Sequence, residues 1–234
     1  MVRGVLLLTG ATGRVGAELL PMLVARGESV RCLVRDPRRL GSDRVRVQLA
    51  LGDLAEPGSF RHALRGVETV VHLAASWRDQ PAAGIEELDG LAVLRLVQAA
   101  ERAGVARFVL LSPLGASPLH PLRAFRAKAH AEAVAQAAGL QTTILRVSAI
   151  HGRAERRLPL VPGAGDPPVQ PIAAADVAAC VVAALDRPGV HELAGPAALL
   201  TWDEAQRATV SMTTPHGTRG AEALGVAPRP LTGR

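Results

Sequence analysis

Two features of this sequence have residue types and spacing that could do chemistry: a glycine array near its start and a solitary lysine near its middle. The stretch TGATGRVG places Gly10, Gly13 and Gly16 three residues apart, directly after an apolar run. Glycines so spaced permit a tight turn, let backbone amides approach a diphosphate, and allow a helix to pack closely on a strand. A helix that starts here would direct its free amides and positive dipole end at that anion. The sequence therefore predicts a dinucleotide-binding loop.

A second apolar run ends in LVRDP, where Arg35 follows Gly16 by nineteen residues. An acidic side chain at this point accepts the ribose 2′-hydroxyl of NAD, whereas an arginine pairs with the 2′-phosphate of NADP. Arg35 thus favours NADP, and Arg38 and Arg39 add positive charge. Asp36 directly follows Arg35, so NAD stays open as the alternative cofactor.

The lysine is Lys128, in the stretch RAFRAKAHAE; the other 26 of the 27 basic side chains are arginines. Glu132 lies four residues further on, so one interpretation is a helix-surface ion pair, which contributes only ~0.2–0.5 kcal/mol. An arginine would serve equally well in such a pair. A compact ammonium can donate to ribose hydroxyls or exchange a proton near a cofactor. The sequence therefore favours a contact between Lys128 and a cofactor or substrate.

Apolar runs alternate with helical patterns along the chain. Strands are predicted at residues 4–10, 29–36, 45–53, 67–75, 106–112 and 140–148, with a strand-like segment at 190–195. Helices are predicted at residues 14–27, 57–66, 90–104 and 172–189, around Lys128, and from Thr201. Continuous Val, Leu and Ile runs joined by helical crossovers are typical of a parallel sheet buried on both faces. The predicted fold is α/β, a doubly wound parallel sheet (Rossmann fold).

The pattern also predicts the domain organisation. Residues 1–150 form an NAD(P)-binding domain, and residues 151–208 a small, shortened C-terminal region that completes the sheet and the cleft. Residues 209–234 show little periodicity, which is typical of a flexible tail.

Composition narrows the function classes. At 234 residues with 2% aromatic side chains, the chain suits one domain with an aliphatic core. The net charge is +6, but the arginines are scattered without interleaved aromatic residues, so no nucleic-acid partner is expected. Cys32 and Cys180 have neither metal nor redox spacing, and no metal site is predicted. We find no targeting or membrane-spanning pattern, and cytoplasmic localisation is expected.

The motifs occur in an order that resembles a known family. TGATGRVG, LVRDP, GDL, VVHLAA, LLSPLGA, the Lys128 helix and PIAAADVA follow one another as in atypical and extended short-chain dehydrogenases/reductases. More narrowly, the chain resembles NmrA-like and complex-I-accessory-subunit-like NAD(P)-binding proteins, over about residues 4–206. The resemblance implies a nicotinamide dinucleotide, NADP or NAD, as cofactor.

The resemblance also implies roles for individual residues. Asp53 would lie near the adenine with Leu54 beside it, and Ser112 and Lys128 would be catalytic, Lys128 also contacting the cofactor. Further cofactor contacts are implied at the end of the fourth strand, at His72, Leu73, Ala74 and Ala75. In the loop they are implied at Thr9, Gly10, Ala11, Thr12, Gly13, Arg14, Val15 and Gly16.

The chain departs from the family at the catalytic pair Tyr-x-x-x-Lys, because it contains no tyrosine and has Ala124 four residues before Lys128. One hypothesis is an NADPH-dependent reductase in which Lys128 is the acid/base and Ser112 polarises a carbonyl of an unknown small molecule. The other is a non-catalytic NAD(P)H-binding redox sensor, regulator or assembly and interaction module with an unknown protein partner. Nucleotide-sugar epimerisation is weaker because it needs the same tyrosine. Three histidines are candidates to replace the missing proton donor: His120, His130 and His151.

Overall fold

The computed structural model describes residues 4–76, 79–80, 83–152, 170–196, 214 and 217–229. Seven parallel strands form one sheet in the order β3-β2-β1-β4-β5-β6-β9. The strands are β1 Val5–Thr9, β2 Val30–Val34, β3 Gln48–Leu51, β4 Val67–His72, β5 Arg107–Pro113, β6 Gln141–Val147 and β9 Gly189–Leu193. Two short strands, β7 (Ile150–His151) and β8 (Ile172–Ala173), pair separately.

Helices connect the strands. They are α1 Arg14–Ala25, α2 Pro57–Phe60, α3 Ala92–Arg102, α4 Arg123–Ala137, α5 Ala174–Ala184 and α6 Arg219–Ala223. Pro37–Arg46 and Arg61–Leu64 are 3-10 segments, and Glu87–Leu91 is a π-helical turn that leads into α3. None of the described helices combines the length and the apolar character needed to cross a membrane.

The sheet is buried on both faces, as its apolar runs predict. Leu7 and Leu8 in β1 are each fully buried but belong to two different core clusters, because successive side chains of a strand point to opposite faces. One cluster contains the apolar sides of α1 and α5, and the other those of α3 and α4. The fold is therefore the predicted doubly wound α/β sheet.

Local differences from the predicted elements have physical reasons. The third strand begins at Gln48 rather than at residue 45, because the 3-10 segment occupies the chain up to Arg46. The segment at 190–195 is a true strand, since β9 pairs with β6 along five residues and completes the sheet. The boundary between a first domain and a C-terminal region at residue 150 stays a prediction.

The C-terminal residues contain an element that the sequence did not indicate. Although no regular structure was expected after residue 209, α6 is a helix whose Ala221 is fully buried against the core. Arg229 donates from its backbone N and its Nε to the Asp176 carboxylate at 2.6 and 2.8 Å. A five-residue helix is too short to produce a periodic pattern, which is why it was missed. The helix predicted from Thr201 lies outside the described residues.

Candidate functional site

The glycine loop lies at the point where the strand order reverses, between β1 and β4, where open parallel sheets bind ligands. Gly10 has a φ of +74°, and a Cβ there would lie 2.7 Å from the Ala74 backbone N. A Cβ on Gly16 would lie 2.2 Å from the Gly10 carbonyl oxygen. Gly13 directly precedes α1, so the backbone N–H groups of the first helical turn lie next to it. The predicted tight turn and close helix packing are both present.

A cleft opens beside this loop. Predicted cofactor residues that line it are Arg35, Asp53, Leu54, Ala74, Ala75 and residues 9–12. It does not include residues 13–16, nor four further predicted positions: His72, Leu73, Ser112 and Lys128. Sequence reasoning assigned no role to four lining residues that follow β4: Ser76, Gln80, Leu88 and Asp89. The glycine spacing and the strand ends identify the cleft, but the segment after β4 carries no comparable sequence signal.

Arg35 and Asp36, the two residues on which the predicted choice between NADP and NAD depends, have different partners. Arg35 lines the cleft, with Nη1 3.9 Å from Asp53 Oδ2 and 3.4 Å from Gln80 Oε1. Asp36 Oδ1 accepts from Arg38 Nε and from the Arg38 backbone N, both at 3.0 Å. These hydrogen bonds hold the pKa of Asp36 below its usual value. Both residues line the cleft, but the Asp36 carboxylate is engaged by Arg38, whereas the Arg35 guanidinium faces Asp53 and Gln80.

Asp53 belongs to a hydrogen-bonded turn at the floor of the cleft. Its Oδ1 accepts from the Ala55 backbone N at 3.0 Å, and its backbone N donates to Ser59 Oγ at 2.8 Å. Ser59 Oγ in turn donates to the Asp53 carbonyl oxygen. Such an arrangement holds the loop after β3 in one conformation, with Leu54 presenting apolar surface to the cleft.

Lys128 is buried, with 1% of its surface exposed, so the solvated ion pair considered from the sequence is absent. Its Nζ lies 3.5 Å from Asp89 Oδ1 and donates to the Ala74 carbonyl oxygen at 3.4 Å. Glu132 pairs instead with Arg146, whose Nη2 lies 2.7 Å from Oε2. Ala74 and Asp89 line the cleft, so Lys128 supports the cleft wall from behind.

The position of the missing tyrosine is filled by packing. Ala124 is 8% exposed and forms an apolar cluster with Ile85 and Ala127. Phe125 stacks on His120 at 4.1 Å between ring centroids, and burial lowers the pKa of His120. The other two candidate proton donors lie apart from it: His130 is exposed on α4 and His151 is buried in β7.

Two polar side chains at the strand ends are buried. Ser112 Oγ has no hydrogen-bond partner among the described residues. His72 Nδ1 shares a 2.8 Å hydrogen bond with Thr9 Oγ1, a cleft residue, while His72 Nε2 has no partner in the same ranges. Burial, and secondarily the Lys128 ammonium, lower the pKa of His72 from 6.5 to about 3. At neutral pH this imidazole is uncharged and orients the threonine hydroxyl.

The lowered pKa of His72 predicts acid-sensitive folding. The unfolded chain takes up a proton below pH 6.5 that the folded chain refuses until about pH 3, so stability is lost as pH falls through this window. We expect the free energy of unfolding to decrease by up to about 1.4 kcal/mol per pH unit. Urea unfolding at pH 7, 6 and 5 measures this slope. His72→Leu should flatten the slope, and equal slopes in both proteins would contradict the assignment.

The described residues contain no group of three or more His, Cys, Asp or Glu side chains that could hold a metal ion. A dinucleotide fits better. Side chains at Gly10 and Gly16 would collide with backbone, so the loop depends on a bare chain, and the cleft beside it joins apolar and cationic residues.

Comparison with known proteins gives the same assignment. Residues 10–188 match the NAD(P)H-binding family. The chain is 30% identical to an NAD(P)H azoreductase of Xenophilus azovorans, over 83% of this chain and 69% of that protein. It is also 30% identical to subunit 9 of the NADH dehydrogenase [ubiquinone] 1 alpha subcomplex of Arabidopsis thaliana, over 84% of this chain but only 55% of that protein.

Solved structures share the fold. MoeE5 in complex with UDP-glucose and NAD aligns over 97% of this chain and 94% of its own, with a TM-score of 0.73 at 23% identity. The family match covers more than half of the chain and includes all three glycines of the loop. The chain therefore belongs to the NAD(P)H-binding family, as an atypical, NmrA-like member of the short-chain dehydrogenases/reductases.

Proposed function

We propose that this protein is an NADPH-preferring reductase. The observation that carries the cofactor preference is the arrangement at the end of β2, where Arg35 and Arg39 line the cleft and Asp36 is held by Arg38. A 2′-phosphate would meet two guanidinium groups there. The carboxylate that would select the NAD ribose is already engaged.

The remaining residues have complementary roles in holding the cofactor. The loop from Thr9 to Gly16 and the first amides of α1 bind the diphosphate, where the helix dipole favours negative charge. Leu54 contacts the adenine beside Asp53. The chain after His72, through Leu73, Ala74 and Ala75, follows the nicotinamide ribose, and Lys128 holds this segment from behind through the Ala74 carbonyl oxygen. Arg14 donates to the Ile150 carbonyl oxygen at 2.6 Å and so ties the loop to β7.

Replacing Arg35 with alanine tests the cofactor preference. We expect NADPH to bind about 10- to 100-fold more weakly, because a charge-assisted hydrogen bond contributes roughly 1.5–3 kcal/mol, while NADH affinity changes little. Calorimetric titration with NADPH, NADP, NADH and NAD measures the difference. Arg44→Ala is the matched control, since Arg44 is exposed in the same 3-10 segment and does not line the cleft. A parallel loss of NADPH and NADH affinity in Arg35→Ala would refute the assignment.

We infer the class of substrate from the side chains that could give a proton near the cleft. Bound NADPH supplies a hydride. Ser112 Oγ is buried and can donate a hydrogen bond to an acceptor. Ala124 has no proton to give, His72 is neutral, and the Lys128 ammonium is engaged behind the cleft wall. This supports acceptors such as azo or quinone groups, whose reduced forms take their proton from water. The similarity to an azoreductase supports the same class.

Turnover of matched acceptors tests this class. We expect a quinone or an azo dye to be reduced at least about 100-fold faster than an aliphatic aldehyde, because a positioned general acid contributes roughly 10²–10⁴-fold to carbonyl reduction. NADPH absorbance measures the rate, and protein without a functional loop (Gly13→Asp) corrects for reaction in solution. Reduction of the aldehyde at the quinone's rate would mean that a protein proton donor exists.

A second function is favoured by one specific observation: the residue at the family's tyrosine position, Ala124, packs in an apolar cluster with Ile85. In this alternative the protein binds NAD(P)H without turning it over and acts as a redox sensor, regulator or assembly module. The relative named as a subunit of NADH dehydrogenase supports this class. A pull-down with and without NADPH distinguishes the two, since a sensor should change its partners with the cofactor.

A further inference from the structure

Asp89 is a buried carboxylate that the proposed chemistry does not use. It lies in the π-helical turn Glu87–Leu91, is 1% exposed, and still contributes to the cleft wall. π-helical turns inside helices frequently occur at functional sites, because the extra residue redirects one side chain. Here the π-helical turn places the Asp89 carboxylate in the core, next to the cleft.

Asp89 contacts the cleft segment and its supporting helix at once. Oδ1 and Oδ2 accept from the Ser76 backbone N at 3.0 and 3.1 Å. Oδ1 also lies 3.5 Å from Lys128 Nζ, which itself donates to the Ala74 carbonyl oxygen. Residues 74–76, which line the cleft, are thus held at one end by a carboxylate from the π turn and at the other by an ammonium from α4.

The Lys128 ammonium is held in place by this arrangement. An ammonium has three hydrogens, and Asp89 and Ala74 engage Nζ from two directions. Nζ is therefore fixed against residues 74–76, which line the cleft. Removing the negative charge would release the lysine and loosen the segment that it supports, without altering any residue of the glycine loop.

We propose that Asp89 is a positioning residue of the dinucleotide site, which acts through Lys128 and the Ser76 amide. This inference rests on the proposed NADPH binding at the same cleft. In this role Asp89 aligns the cleft wall. NADPH affinity therefore depends on the charge of Asp89 and not only on the fold.

The test compares two buried carboxylates, Asp89, which contacts α4, and Glu132, which belongs to α4. Asp89→Asn keeps the shape and one oxygen for Ser76 but removes the charge opposite Lys128. We expect its NADPH dissociation constant, measured by calorimetry, to rise about 10- to 100-fold, as for loss of a hydrogen bond to a charged group. Asp89→Glu should recover part of the affinity, because it restores the charge.

Glu132→Gln is the matched control. Glu132 is 3% exposed on α4 and paired with Arg146, yet it does not line the cleft. We expect this variant to lose stability without losing NADPH affinity. An Asp89→Asn protein that binds NADPH like the parent, or a Glu132→Gln protein that is equally impaired, overturns the inference. If Asp89→Asn does not fold, Asp89→Glu decides: an NADPH affinity within about tenfold of the parent's supports the inference, because the charge is restored, and a greater loss overturns it. Failure of the unmodified protein to bind NADPH would instead overturn the proposed function.

Discussion

Gly13→Asp is expected to weaken NADPH binding by about 1,000-fold, because like charges brought together in an interface cost several kcal/mol. Gly13 is the residue that precedes α1, with φ −81° and ψ 175°, a conformation open to any residue. Aspartate is favoured at this position of a helix, since its carboxylate accepts from the first amides. The substituted chain should therefore fold while its own carboxylate occupies the place of the diphosphate.

Two controls separate charge from bulk in this experiment. A Cβ on Gly13 would lie 3.1 Å from the Gly10 carbonyl oxygen, a tight contact, so Gly13→Ala measures the steric part alone. Gly58→Asp adds the same charge where no atom beyond its own helix and chain neighbours lies within 4 Å of the new Cβ. Calorimetric titration with NADPH provides the measurement. A Gly13→Asp protein within tenfold of the parent's affinity would show that this loop is not the diphosphate site.

Lys128→Met is expected to destabilise the fold by about 3–5 kcal/mol, the typical effect of leaving one member of a buried ion pair without its partner. Lys128 and Asp89 are 1% exposed each, so water cannot replace the missing charge. The double variant Lys128→Met, Asp89→Leu should recover most of this loss, since apolar replacement of both members is often neutral. Urea unfolding at neutral pH measures all three proteins.

The exposed pair of Asp36 and Arg38 provides the comparison. Arg38 has 83% of its side chain exposed, so Arg38→Met should change stability by less than about 1 kcal/mol. A Lys128→Met protein as stable as the parent would mean that Asp89 finds another cation. A double variant less stable than Lys128→Met would mean that the carboxylate contributes mainly through the Ser76 amide.

Features encoded by local pattern could be predicted from the sequence. The order of strands and helices follows from apolar runs and their flanking glycines. The loop could be located because only a bare backbone tolerates the contacts of Gly10 and Gly16. The position of Arg35 could also be predicted, because the end of the strand beside such a loop is a fixed place in this fold.

Contacts between distant residues could not be predicted in this way. Lys128 pairs with Asp89 rather than with Glu132, because α4 packs against the π turn with that side and against β6 with the other. The sequence contains both carboxylates, but spacing along one helix favours only the nearer one. Likewise, no local pattern connects Ala124 with Ile85, which packs on it from a different segment.

The sequence by itself determined that this chain folds as a doubly wound sheet with a glycine loop for a dinucleotide, because strand burial, helix capping and turn geometry are properties of neighbouring residues. The tertiary structure alone decided which charges are buried together and which side chains form the cleft wall. The physical reason is that a buried ion pair forms only where packing excludes water from both partners, and packing brings together residues far apart in the chain.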